Sequence, residues 1–127
     1  MNYANIDAAS LNNPTVLNDF QTIKVVIQDE PESSTSKYHF IFLLQIDETE
    51  IDQSILTIQK ELQEGWYTFF WSDRTLNIVF NTQKFQIALA DGWVSKEYNA
   101  AKKYGRTQNI PEKYLDFKKF FLLHKNI

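Results

Sequence analysis

His39 and His124 are the only imidazoles in the chain, and imidazole is the side chain best suited to moving a proton or ligating a metal near neutral pH. They stand 85 positions apart, and neither has a histidine or cysteine at metal-site spacing. His39 reads as a half-buried strand residue. His124 closes an apolar stripe near a helix C-terminus, where positive charge is favoured. Carboxylates cluster at Glu48, Glu50 and Asp52 and again at Asp29, Glu30 and Glu32. Acid–base catalysis would need one of them pushed toward pH 7 by burial or a like charge. Helix-start electrostatics account for the first group, and a polar loop holds the second. Lys96, Lys102, Lys103 and Arg106 interleave with Tyr98 and Tyr104, a mixture that single-strand nucleic-acid binders use. No RRM, KH or cold-shock signature accompanies them, so a solvated helix face is the better reading. No nucleophile elbow frames a serine. Cysteine is absent, which excludes a disulfide scaffold, a thiolate zinc site and a cysteine nucleophile. The three glycines form no phosphate-cradling loop. These residues therefore designate no catalytic, cofactor-binding or metal site, and the balance leans away from an enzyme.

The elements that would position any site are clearer. At 127 residues the chain has the length of one domain, long enough to fold on its own core. Ten Phe, six Tyr and three Trp give that core a heavy aromatic load. Residues 1–20 have weak periodicity and are expected as a loosely held arm, with Asn13-Pro14 able to start a short helix. Alternation marks a strand at 22–28, with Ile23, Val25 and Ile27 on one face. A polar loop spans 29–37. The strand at 38–46 is apolar on both faces and so belongs inside a sheet. Asp47 and Glu50 suit a capping box, and Ile51, Ile55, Ile58 and Leu62 form one helical stripe over 48–64, stopped by Gly65. An aromatic strand follows at 66–72, then a hairpin of 76–80 and 85–89. A second helix is expected at 95–104 with Gly105 as its stop, and a third at 111–124 with Ile110, Tyr114, Phe117, Phe121 and His124 on one side.

The pattern of strand, amphipathic helix, Gly65-Trp66-Tyr67, aromatic strand and hairpin, closed by Tyr104-Gly105, Ile110-Pro111 and Leu115-Asp116-Phe117, resembles a group of small uncharacterised bacterial proteins. The resemblance covers about two-thirds of the chain and rests on packing residues; it implies a bacterial origin and carries no activity.

The expected fold is α+β. A mostly antiparallel sheet of four to five strands, in the order ββαβββαα, carries helices 48–64 and 95–104 on one face, related to half of a ferredoxin-like fold. Residues 21–127 make up the domain and residues 1–20 the arm. With two helices on one face, the other face is left with Ile41, Leu43, Tyr67, Phe69, Trp71 and Val79. These, with Tyr114, Phe117 and Phe121, form the candidate interface of a homodimer or of a protein partner. Charge is uneven. Residues 1–64 hold three lysines against eleven acids, whereas residues 94–127 hold eight cations against three acids. The basic segment is expected to dock on the acidic half of its own chain or of a second copy. The net charge of −3 disfavours nucleic acid. The beginning of the chain lacks the pattern of a signal peptide, no run approaches membrane-spanning length, and no cofactor is implied. The function these features favour is a non-catalytic interaction or assembly module of the bacterial cytoplasm. The alternatives are a small-ligand or nucleic-acid binder using the basic C-terminal segment, or an enzyme without a recognisable motif.

Overall fold

The computed structural model describes residues 1–29 and 38–125, the side chain of His124 excepted. Six strands form one sheet: β1 (Asn2–Asp7), β2 (Gln21–Asp29), β3 (Tyr38–Ile46), β4 (Tyr67–Trp71), β5 (Thr75–Phe80) and β6 (Lys84–Ala88). Their spatial order is β2-β3-β1-β4-β5-β6, and every neighbouring pair is antiparallel. The α+β class expected from the sequence holds. The count of four to five does not, and this strand order gives no support to a ferredoxin-like relation.

The extra strand is the expected arm. Asn2–Asp7 lies between β3 and β4, pairing Asn2 with Ile46 through Asp7 with Ile41 on one side and Tyr3 with Trp71 through Asn5 with Phe69 on the other. Ala4 and Ile6 have no exposed surface. The segment escaped notice because Asn2, Ala4 and Asn5 have low strand propensity, which neighbours on both sides override. After β1, two 3-10 turns (Ala8–Ser10 and Pro14–Asp19) lead to β2. Asn13 caps the second, accepting from the Thr15 amide, with Pro14 at the first position.

Helix α1 (Ile51–Glu61) follows a 3-10 turn at Glu48–Glu50, which Asp47 caps by accepting from the Thr49 amide at 3.1 Å. It connects β3 to β4, which lie on opposite sides of β1. Its Ile55 and Ile58, with Leu62, pack on Ala4, Ile6, Leu44, Ile46, Phe70 and Val79. Leu11 and Leu17 of the N-terminal turns complete that layer.

Helices α2 (Lys96–Thr107) and α3 (Phe117–Lys125) cover the other face. Tyr98, Ala101, Leu115, Phe117 and Phe121 meet Phe69, Trp71, Leu76, Ile78, Phe80 and Ile87 there. Helices thus lie on both faces, not one. The turn between β4 and β5 decides which residues of these two strands share a face. Its register sets Phe69 across from Ile78 and Tyr67 across from Phe80, so Ile78 and Phe80 share a face with Phe69 and not with Phe70.

Gly105 does not stop α2. It lies inside the helix, where a Cβ would sit 2.5 Å from Leu115 Cδ2. The missing side chain serves close approach; the reversal falls instead at Asn109, with φ 61°. The expected third helix is split into a turn at Glu112–Tyr114 and α3.

Candidate functional site

The residues singled out in the sequence are placed as follows. Phe69, Trp71, Val79, Phe117 and Phe121 are buried, Ile41 is 9% exposed, and Leu43 and Tyr67 are partly buried. Phe121 meets Phe69 and Trp71 edge-on at 6.0 and 5.5 Å between ring centres. Of the nine expected interface residues only Tyr114, at 37%, is largely exposed. Two arrangements account for the burial: α2 and α3 share the face of Phe69 and Trp71 and cover it from within the chain, and Val79 lies on the opposite face in the layer under α1.

Tyr67 shows how closely. Its hydroxyl donates to the Tyr114 carbonyl at 2.5 Å. Burial first, then Tyr98, Asp116 and Tyr114, hold its pKa well above the ordinary value near 10. A raised pKa in the folded state means that this contribution to stability is intact below about pH 10 and is lost as pH rises beyond it. Tyr67→Phe is therefore expected to cost about 0.5–1.5 kcal/mol at pH 7 and to flatten the fall in stability above pH 10. Urea midpoints at pH 8 and 11 check this; an undiminished alkaline loss in the variant would contradict it.

The titratable clusters do not converge on a reaction centre. His39 is buried, and its Nδ1 lies 2.5 Å from Asp7 Oδ2. Asp7 Oδ1 accepts from the Ala9 amide, so the carboxylate both caps the first 3-10 turn and holds the imidazole. The nearby Ser10 hydroxyl donates to the Asp7 carbonyl at 2.6 Å, which directs it at backbone. Glu48 and Asp52 line a polar cleft of about 210 Å³ with Lys84, Asn77 and Gln86. Glu48 there pairs with the terminal ammonium at 3.0 Å, and charges of both signs surround the opening. No group of three or more metal-ligating side chains occurs among the described residues. Glu30 and Glu32 of the other carboxylate cluster, and the side chain of His124, lie outside the described residues.

The basic segment is accounted for locally. Tyr98 is buried, its hydroxyl accepts from the Lys118 amide, and Tyr104 hydrogen-bonds Thr82. Neither ring is presented as a stacking platform. Lys102, Lys113, Lys119 and Lys125 lie over aromatic rings of their own layer. Arg106 pairs with Glu112. α1 and its acids pack on the face of the sheet opposite the basic helices, whose own layer includes Tyr3 and Leu43 of the acidic half.

The open surface lies elsewhere, at the edge formed by β2. A sheet of this order has two edges, and they differ. β6 has five residues, begins at Lys84 and is packed by α2. β2 has nine residues, among the described residues pairs only with β3, and is exposed along most of its length. Ile23, Val25 and Ile27 are 49%, 43% and 64% exposed, and Phe40 on the adjoining strand is 44% exposed. Val25 stands across from Phe42 and Ile27 across from Phe40, on the face that α1 covers farther along the sheet. The outer backbone groups of β2 face away from the sheet, and a long apolar edge of this kind is a template for another strand. The strand was legible in the sequence; its place at the edge was not, because edge position is set by which other strands pair.

No protein-family model, no curated protein and no solved structure matches this chain, so the resemblance carried by its packing residues brings no function with it.

Proposed function

We propose that this protein is a non-catalytic assembly module whose contact element is the free edge of β2. The single observation that carries this reading is the contrast between the two sheet edges: β6 is short and packed by α2, whereas β2 is long and displays Ile23, Val25 and Ile27. Burying one such side chain fully is worth about 1.5–3 kcal/mol, and pairing the outer backbone groups adds direction and register. The bacterial cytoplasm is the setting we propose with it. Among the described residues no helix is long and apolar enough to cross a membrane. A photo-reactive amino acid at Ile27, in cells that make the protein, is expected to give a covalent protein adduct of discrete mass. The same group at Lys103, on the exposed side of α2, is expected to give none. No adduct at position 27 above the Lys103 background would contradict the reading.

A further inference from the structure

Resting on that reading of β2, we infer that the strand taken up by this edge is β2 of a second copy, antiparallel across a two-fold axis through Val26. The regular part of the strand is Lys24–Asp29, because the register against β3 shifts between Thr22 and Lys24. A two-fold axis normal to the sheet keeps each face on its own side. Residues set opposite one another must then share a face, and the axis passes through a residue and not between two. Four centres lie in the first part of this stretch or beside its midpoint, and one of them, Ile27, sets Val25 against Asp29 and Val26 against Gln28, so that only Ile27 itself makes an apolar pair. An axis at Lys24 sets Lys24 against itself, two like charges directly opposed. An axis at Val25 sets Ile27 against Ile23, inside the irregular stretch, and places Lys24 against Val26.

An axis at Val26 keeps the pairs from Lys24 to Gln28 within the regular stretch and leaves Asp29 against Ile23 at its end. Val26 meets Val26 of the second copy, Val25 meets Ile27, and Lys24 meets Gln28, whose amide oxygen can accept from the ammonium. On the face of Val25 and Ile27 the two Val–Ile pairs continue the rows that begin with Phe42 and Phe40. The only charged residues of the strand are Lys24 and Asp29, and no like pair is opposed. From Lys24 to Gln28 the sequence of β2 is its own complement in this register, which argues for a second copy over an unrelated strand. Pairing of β2 with β2 across a two-fold axis is isologous, so it closes on two copies and does not run on into a fibre.

The chain has no cysteine, so single cysteines report the register without background. In the Val26 register, Val26→Cys brings the two sulfurs within disulfide range. Val25→Cys and Ile27→Cys are displaced by two residues along the strand from their own counterparts, leaving Cα atoms roughly 8 Å apart, beyond the limit of about 7 Å. Under mild oxidation, V26C is expected to link into a dimer at least tenfold faster than V25C, I27C or a Lys103→Cys control. V25C mixed with I27C is expected to link to each other. Val26→Lys, which opposes two charges at the axis, is expected to abolish the dimer seen by sedimentation while its circular dichroism spectrum stays that of the parent. V25C linking faster than V26C would overturn the register. V26C no faster than the control would overturn the self-pairing. In that case an adduct with a different protein at position 27 would leave edge docking standing, and no adduct would remove both.

Discussion

Removal of residues 1–7 is expected to abolish cooperative folding. The segment lies in the middle of the sheet, and β3 and β4 meet only through it. Without β1 the inner edges of both neighbours lose their hydrogen-bond partners, and an unmade buried bond costs about 1–3 kcal/mol. The layer under α1 also loses Ala4 and Ile6, both without exposed surface. The Thr68 hydroxyl, buried against β1, loses the Asn5 carbonyl to which it donates. Domain stabilities are typically about 5–15 kcal/mol, so these losses together exceed what a chain of this size can absorb. The milder Ile6→Ala, which leaves the strand in place, is expected to cost about 2–5 kcal/mol. Denaturant unfolding followed by circular dichroism checks both. A chain of residues 8–127 that unfolds cooperatively at the parent's midpoint would contradict the central placement of β1.

Truncation before Pro111 is expected to be nearly as severe. It removes Leu115, Phe117 and Phe121, none more than 1% exposed. Phe117 meets Tyr67 edge-on at 4.9 Å and Phe69 at 6.4 Å, and Phe121 closes over Trp71 and Trp93. Their removal opens a contiguous aromatic surface on β4 and β5, of the kind that drives aggregation. Phe117→Ala alone is expected to cost about 3–5 kcal/mol. The 1–110 chain is expected to precipitate or to lose its near-ultraviolet circular dichroism. If it stays in solution and unfolds at the parent's midpoint, α3 is not part of the core.

Local pattern in the sequence was enough for β3, β4, β5 and β6, because each alternates or carries apolar residues on both faces. It was also enough for the existence of α1, whose isoleucine stripe is visible in the residues themselves, although Asp47 caps the 3-10 turn before it and the helix ends at Glu61, short of Gly65. It failed at β1, where Asn2 and Asn5 hide a central strand whose burial comes from its neighbours. Gly105 shows a second limit. A glycine at the end of a helical pattern suggests a left-handed stop, yet here it makes room for Leu115, a contact ten residues away. The candidate interface shows a third. Phe69 and Trp71 look uncovered when helix 95–104 is placed on the face of helix 48–64, whereas α2 lies with α3 on their own face. The open apolar row at a sheet edge belongs to β2, whose alternation was visible in the sequence but whose outer side was not.

The most direct measurement of the central claim is hydrogen exchange read by mass spectrometry across a dilution series of the intact protein. If β2 is covered by a strand of a second copy, protection of residues 21–29 rises with protein concentration, while that of β6, residues 84–88, stays constant. Exchange in residues 21–29 that is the same from low to high micromolar protein would contradict it.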